Sequence, residues 1–577
     1  MKRTLLFFLV CVSANLCGRT KWNNPAHADR CVITGNSFTP EANNLFTRID
    51  PAKQADLRPD VWRLSQNSAG LSLCFVTNSP SLKIRYKVKG GFSMAHMPAT
   101  GVSGVDLYSR DCNGVQSWCV PKYAFGDTVV FNYPTLEYNN IHKEGNEYTL
   151  FLPLYNTVEW LEIGSDEEAD FRFEPRTLQK PIVAYGTSIA QGACASRPGM
   201  AWSNILQRKL DIPVVNLGFS GNAYLEKPVL DIIRSIDSRL IILDNLPNLI
   251  GRKELSIDSL VCSAVEQIRK TSSVPVLLVD HAGYPEQRHS KVSDQEVKRV
   301  NQQQYDAYLK LKQRYSDLYY LTKEDIALDN DATVDGVHPT DWGMVQQADA
   351  YEKSIRAILK LKEGDSQTTR ACRQRREPLL YEWNERYEAS LASLNTNSPE
   401  VVVIGNSILH YWNGQPAAPV VSDSVGWEKA FGTKRVLNLG CGWDRIENAL
   451  WRVQHGALSG YRPKQILVKI GTNNLSVNSD EEIVNGILNL ADQITLLQPE
   501  AELTVIGLLP RRNFETRIAG LNQKLRERCR AQKINYVDVG GVLVDRKSKK
   551  INESLFKDGL HPNAKGYERI GERLGKI

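Results

Sequence analysis

Two serines and two distant Asp-x-x-His pairs are the residues of this chain best suited to covalent chemistry. Ser188 follows the apolar run Ile182-Val183-Ala184-Tyr185 and then Gly186-Thr187. Ser407 follows Val401-Val402-Val403-Ile404 and then Gly405-Asn406. A serine hydroxyl is a weak nucleophile until a base takes its proton. Histidine, with a reference pKa of about 6.5, does this near neutrality. A carboxylate on the other ring nitrogen fixes the tautomer and stabilises the imidazolium. Asp335 and His338, and again Asp558 and His561, stand three residues apart, which sets both on one face of a loop or helix start. The chain has only nine histidines, yet both segments place one at the same point. A serine opening a helix, taken alone, reads as an N-cap; the recurring Asp-x-x-His pair favours a nucleophile.

The chemistry recurs because the sequence does. Gly186-Thr187-Ser188 returns as Gly405-Asn406-Ser407, and Asn216-Leu217-Gly218 as Asn438-Leu439-Gly440. Asp335-Gly336-Val337-His338-Pro339 returns as Asp558-Gly559-Leu560-His561-Pro562. The order is the same and the offset is about 220 residues, which a duplicated domain explains. Short apolar runs alternate with amphipathic helices in each copy: residues 182–185, 214–217, 240–243 and 276–279, then 401–404, 436–439, 466–470 and 503–508. This alternation predicts βαβ units and a parallel sheet. Catalytic groups in such sheets lie at the carboxyl ends of the strands, where Gly186 and Gly405 permit a sharp turn.

Residues 30–175 read as β-rich. Leu82, Ile84, Tyr86 and Val88 alternate with Lys83, Arg85, Lys87 and Lys89, marking a strand with one dry and one wet face. Leu71, Leu73 and Phe75 form a similar strand before the turn Asn78-Ser79-Pro80. Residues 148–153 and 158–163 read as another strand pair. Clustered strands without intervening helices predict a sandwich. The expected organisation is a signal peptide (1–18), a β-sandwich (19–177), a first α/β domain (178–362), a linker and helix (363–399) and a second α/β domain (400–577). The helix, at 379–394, carries Tyr381, Trp383 and Tyr387.

The formal net charge of +6 is spread along the chain, which argues against a nucleic-acid partner. The nearest thing to a basic cluster, Arg370 to Arg376, reads as a solvated linker. Lys2 and Arg3 precede apolar residues 5–12 and then Ser13 and Ala14, the layout of a secretory signal. That run is too short to span a bilayer, and no other segment approaches the length. The expected product is an exported soluble protein, periplasmic or extracellular. Cys17 raises a lipoprotein signal, for which Ala14-Asn15-Leu16 is a poor match. Of the eleven cysteines, Cys11 and Cys17 leave with the signal, and Cys112 and Cys119 flank Asn113-Gly114 at a spacing that would close a small disulfide loop. The remainder make no metal-ligand spacing.

These motifs resemble the SGNH/GDSL hydrolase superfamily over about residues 178–362 and 400–577. The resemblance implies two flavodoxin-like three-layer α/β/α domains behind the β-sandwich. In the family the nucleophile is the serine of Gly-Asp-Ser; here Thr187 and Asn406 replace the aspartate. By resemblance, a glycine of the second block lends its N–H to an oxyanion hole: Gly221 in the first copy, with Trp443 at the matching place in the second. The third block supplies an asparagine amide. Asn473 of Gly471-Thr472-Asn473-Asn474 fits, and Asn248 of Asp244-Asn245-Leu246-Pro247-Asn248 aligns with it, Asn245 being the alternative. The second copy, through Trp443-Asp444-Arg445, Leu450-Trp451-Arg452-Val453 and Gly507-Leu508-Leu509-Pro510-Arg511, is similar to the catalytic subunits of platelet-activating-factor acetylhydrolase. Gly104-Val105-Asp106-Leu107-Tyr108 resembles the leading domain of bacterial GDSL-like esterases with a Gly-x-Asp-Leu-Tyr motif. The resemblance implies ester hydrolysis by Ser188, His338 and Asp335 and by Ser407, His561 and Asp558, with no cofactor and no metal. A small acyl ester, O-acetyl on a glycan above all, is the favoured substrate. The rival readings are a glycan-binding protein with inactive hydrolase folds, motivated by Thr187, Asn406 and Trp443, and a lipase or thioesterase for long acyl chains.

Overall fold

A computed structural model describes residues 19–136, 143–252, 254–361, 367–375, 380–393 and 398–576. The expected signal segment, with Cys11 and Cys17, lies outside the described residues, as does Arg376.

The leading domain consists of two antiparallel sheets. One runs in the order Thr20–Asn23, Val158–Asp166, Leu82–Val88, Val129–Tyr133, Lys122–Ala124. The other runs Phe171–Phe173, Ser72–Thr77, Asn146–Phe151, Asp106–Arg110, Gln116–Trp118, with Ile33–Thr34 added to Ser72–Thr77. Leu82, Ile84, Tyr86 and Val88 of the first sheet share one core with Leu73, Phe75, Tyr148 and Leu150 of the second. Lys83 and Lys87 face water between them, as the period of two requires. Residues 148–153 and 158–163 are not a strand pair. Asn146–Phe151 pairs with Ser72–Thr77 and Asp106–Arg110, whereas Val158–Asp166 pairs with Thr20–Asn23 and Leu82–Val88. The short connection crosses between sheets because both strands turn an apolar face to the same core. Cys112 and Cys119 are free thiols rather than a disulfide. Cys119 turns into the sandwich core, while Cys112 sits half-exposed on a turn.

Each repeat holds a five-stranded parallel sheet. The first has the order Val214–Gly218, Ile182–Gly186, Leu240–Asp244, Val276–Val279, Leu318–Leu321. The second has Val436–Gly440, Val401–Gly405, Gln465–Lys469, Glu502–Ile506, Asn535–Val537. In sequence terms both are 2-1-3-4-5, the flavodoxin-like order. Alternate residues feed helix layers on opposite faces: Val183 and Tyr185 enter one core and Ile182 and Ala184 the other. The first four strands of the first sheet in sequence, including the edge strand Val214–Gly218, are buried throughout. The fifth, Leu318–Leu321, is the opposite edge strand, with its leucines buried and its two tyrosines partly exposed.

The second strand in each sequence order is the other edge, and one arginine covers it in each repeat. Arg48, from the leading domain, donates to the carbonyls of Asn216 (3.1 Å) and Gly218 (2.8 Å). Arg386, from helix Trp383–Ala392, donates to those of Asn438 (2.8 Å) and Gly440 (3.3 Å). Leaving such buried carbonyls unpaired would cost about 1–3 kcal/mol each.

The run after Arg370 is not a solvated linker. Residues 371–375 are all buried. Arg373 forms an ion pair with Glu174 in which both side chains are 2% exposed. Arg375 donates to the Arg110 carbonyl and to Asn146. The leading domain supplies the carboxylates that make this burial tolerable. Arg110 reaches Asp211 Oδ1 of the first repeat at 2.5 Å and also the Ala371 carbonyl, while Ala371 N–H donates to Asp211 Oδ2. The following helix spans Trp383–Ala392, shorter than the expected 379–394. It sinks Trp383 and Tyr387 into the second repeat against Trp451.

Candidate active sites

Each serine is the first residue of a short helix, Ser188–Gln191 or Ser407–His410, at the carboxyl end of its repeat's first strand, which lies next to the edge strand of the sheet. Neither serine is the N-cap. Thr187 Oγ1 accepts from Ile189 N–H (3.3 Å), and Asn406 Oδ1 from Ile408 N–H (3.1 Å). Both replacements for the family aspartate therefore keep an acceptor at the cap, and the serine hydroxyls are left for other work.

Ser188 Oγ lies 2.8 Å from His338 Nε2, and His338 Nδ1 lies 2.8 Å from Asp335 Oδ2. In the second repeat Ser407 Oγ lies 2.9 Å from His561 Nε2, and His561 Nδ1 lies 2.7 Å from Asp558 Oδ2. The three-residue spacing works through the backbone as well as the side chains. Asp335 Oδ1 accepts from Val337 and His338 N–H, and Asp558 Oδ1 from Leu560 and His561 N–H. Burial alone would raise the Asp335 pKa. The His338 backbone and ring donors outweigh it and hold the carboxyl at about 2. Asp558 is lowered by the same balance. An ionised carboxylate at Nδ1 holds the proton there and leaves Nε2 to accept from the serine.

Gly221 has φ +66° and Trp443 φ +65°, so the two occupy one left-handed conformation. The turns match further: Asn222 N–H donates to the Phe219 carbonyl and Asp444 N–H to that of Cys441. A Cβ at Gly221 would meet nothing within 4 Å, and in the second repeat Trp443 is 45% exposed, so the position is open in both. Sheet register sets Asp244 opposite Gly186 and Lys469 opposite Gly405. Asn248 and Asn473 therefore lie equally far beyond matched strand ends, and Asn245 corresponds to Ile470. Asn248 Oδ1 accepts from Ala223 N–H (3.0 Å), and Asn473 Nδ2 donates to the Asp444 carbonyl (2.9 Å). Both asparagines are thus tied to the turn that carries Gly221 or Trp443.

The matched strand ends themselves differ. Asp244 accepts from the Tyr351 hydroxyl, and burial raises its pKa to about 6. Lys469 is buried with no partner for Nζ among the described residues, and burial lowers its pKa to about 7.

Sequence reasoning missed what the leading domain brings to the first site. The His96 ring lies 5.5 Å from that of His338, and Cys194 Sγ donates to the His96 carbonyl. The ligand atoms of His96, Cys194, Asp335 and His338 all fall within 4.8 Å of one another, although Asp335 and His338 are already bonded together. Tyr155 OH donates to the Ser188 carbonyl at 3.2 Å. Asp106 and Tyr108 of the Gly-x-Asp-Leu-Tyr motif grip Arg197, and Asp106 Oδ2 also takes Gly199 N–H at 2.9 Å. A Cβ at Gly199 would lie 2.4 Å from that carboxylate oxygen, so the approach demands glycine. The motif itself was legible in the sequence; its partner across the domain boundary was not.

A parallel sheet ending in a hydrogen-bonded serine, histidine and aspartate, built twice in one chain, defines a tandem hydrolase of the GDSL type. Residues 179–356 and residues 403–569 each match the GDSL-like lipase/acylhydrolase family, and residues 20–171 match the N-terminus of SGNH-hydrolase-type esterases. The chain belongs to this esterase family. It is 31% identical over 202 residues to platelet-activating factor acetylhydrolase IB subunit alpha1 of Rattus norvegicus, covering 34% of this chain and 82% of the relative. It is 26% identical over 200 residues to subunit alpha2 of Homo sapiens, with the same coverage. A solved structure from Bacteroides ovatus, described as a GDSL-like lipase, superposes with a TM-score of 0.53 at 29% identity, covering 60% of this chain and 99% of its own. Among the described residues no helix is long and apolar enough to cross a membrane.

Proposed function

We propose that the chain is an exported serine esterase that removes small acyl groups, O-acetyl on carbohydrate foremost, at two sites. The observation that carries this reading is the continuous hydrogen-bonded line from serine through histidine to aspartate in both repeats. Ser188 Oγ attacks the ester carbonyl as its proton passes to His338 Nε2, and Asp335 stabilises the resulting imidazolium. The backbone N–H groups of Ser188 and Gly221 and the Asn248 amide take the charge on the carbonyl oxygen. Collapse breaks the ester bond, and His338 gives its proton to the departing alcohol. Water, deprotonated by the same histidine, then attacks the acyl-serine and releases the acid. Ser407, His561 and Asp558 repeat this sequence, with the N–H of Trp443 and the Asn473 amide at the oxyanion.

Two features support a small acyl group on a sugar. The rodent and human relatives are named acetylhydrolases. Exposed indoles suited to the apolar side of a pyranose ring follow the site motifs in sequence: Trp443 at the position matching Gly221, and Trp342, 58% exposed, four residues after His338. The test is aryl-ester hydrolysis by Ser188→Ala, Ser407→Ala and the double variant, across acetate to dodecanoate. Each single variant should retain one site's activity, peaking at acetate, and the double variant should retain none. Wild type as inert as the double variant would favour a glycan-binding protein, and a peak at long chains would favour a lipase or thioesterase. Acetate released from acetylated polysaccharides then identifies the natural ester.

A further inference from the structure

The turns that carry Gly221 and Trp443 are held at both the N–H and the carbonyl of the preceding residue, and the two repeats hold that carbonyl differently. In the first repeat Ser220 N–H donates to Gln191 Oε1 (3.1 Å), and the Ser220 carbonyl accepts from Asn222 Nδ2 (2.8 Å). Both partners of the Ser220 backbone come from the repeat itself, with Arg58 of the leading domain in turn donating to Asn222 Oδ1 at 2.9 Å. In the second repeat Gly442 N–H donates to His410 Nδ1 at 3.1 Å. His410 stands where Gln191 does, three residues beyond its serine. Asn222, however, is replaced by Asp444, whose two oxygens face only donors and so act as acceptors, with no amide N–H to offer the carbonyl. Asp444 instead accepts from Arg452 through Oδ2 and from Trp383 Nε1 and Gln374 Nε2 (2.7 Å) through Oδ1, so that Gln374 ties this carboxylate and the Gly442 carbonyl together. The Gly442 carbonyl is served instead from outside the hydrolase fold. Gln374 Nε2 donates to it at 2.8 Å, and so does the Tyr381 hydroxyl.

The consequence follows from peptide geometry. In a trans peptide the carbonyl of one residue and the N–H of the next point in opposite directions. Fixing the Gly442 carbonyl on Gln374 and Tyr381 therefore fixes the Trp443 N–H on the other side, where the first repeat has the Gly221 N–H. The constraint matters more at Trp443 than at Gly221, because a side-chain-bearing residue at φ +65° sits in a conformation it enters at a cost of about 1–2 kcal/mol. We propose that Gln374 and Tyr381, in the segment joining the two repeats, are positioning residues of the second active site, supplying the hydrogen bonds that Asn222 supplies in the first. The joining segment thus completes a hydrolase domain that its own residues leave unfinished. Arg386, which covers the Asn438 and Gly440 carbonyls just before the same turn, belongs to the same device.

This inference rests on the second site being a working esterase, and the experiment separates the two. In a Ser188→Ala background, where turnover of p-nitrophenyl acetate reports Ser407 alone, Gln374→Met and Tyr381→Phe should each lower kcat about 10-fold and together about 100-fold, with KM within 2-fold. The full loss of an oxyanion donor is worth 10²–10³ in kcat. The rate at which diethyl p-nitrophenyl phosphate labels Ser407 should fall in parallel. In a Ser407→Ala background the same substitutions should leave the Ser188 site unchanged, which a general loss of structure would not. An unchanged kcat at Ser407 in the double variant, or an equal loss at both sites, overturns the proposal. A Ser188→Ala protein with no Ser407-dependent turnover overturns the activity of the second site itself.

Discussion

At the scale of single residues, three side chains make quantitative predictions. Trp443 holds a left-handed backbone that glycine adopts freely. Trp443→Gly should raise stability by about 1 kcal/mol, measured by denaturant unfolding. It should also preserve kcat on aryl acetate and raise KM for acetylated glycan, because the stacking face is gone. Asp335 is held at a pKa of about 2, so it stays ionised wherever the enzyme works. The acid limb of kcat/KM for the Ser188 site, read in Ser407→Ala, should then follow a single proton uptake, on the base and not on the carboxylate. A rate flat down to pH 4.5 would contradict the assigned base. Lys469 sits buried with a pKa of about 7, below the value of about 10.4 for an exposed lysine. Between these values the unfolded chain binds a proton that the folded chain does not. The burden is therefore full below pH 7 and fades as pH rises towards 10. Lys469→Met should raise Tm by several degrees at pH 7, with the advantage shrinking at pH 9.5, by calorimetry at both pH values.

Elements explain what sequence could and could not convey. The serine-bearing strands and the Asp-x-x-His loops were legible because their signals are local: an apolar run, a glycine, a fixed three-residue spacing. Trp443 could be aligned with Gly221 because its neighbours repeat, and the two share one left-handed φ. The edge strand Leu318–Leu321 escaped, since it is only four residues long and its middle is two partly exposed tyrosines rather than buried aliphatic residues. Helix Trp383–Ala392 was legible as a helix but not as a part of the hydrolase. Its purpose lies in Arg386 meeting carbonyls some 50 residues away in sequence, as Arg48 does for the first sheet. Arg386→Met should strip those edge carbonyls of their donors at about 1–3 kcal/mol each. Thermal unfolding should show the second repeat destabilised, with Ser188-dependent turnover intact at 25 °C.

In the whole molecule, the three domains meet at the segment 371–375, and there composition misled. A run of arginines looks the same on paper whether water or carboxylates surround it. What decides is Glu174, Glu144 and Asp211, all remote in sequence. Removing one member of a buried pair typically costs 3–5 kcal/mol, because the other charge is left unpaired. Glu174→Ala should approach the lower end, since Glu144 stands 3.7 Å from Arg373. Calorimetry should show the loss in unfolding of the leading domain and the second repeat together.

The shared seam also limits how the gene can be cut down. A stop codon placed after the first repeat would remove Ala371 from Arg110 and Asp211, and Arg373 from Glu174. The shortened product would present a raw face of stranded charges where the longer polypeptide had covered them. Anyone wanting only one of the two activities is better served by silencing a single hydroxyl than by trimming the reading frame.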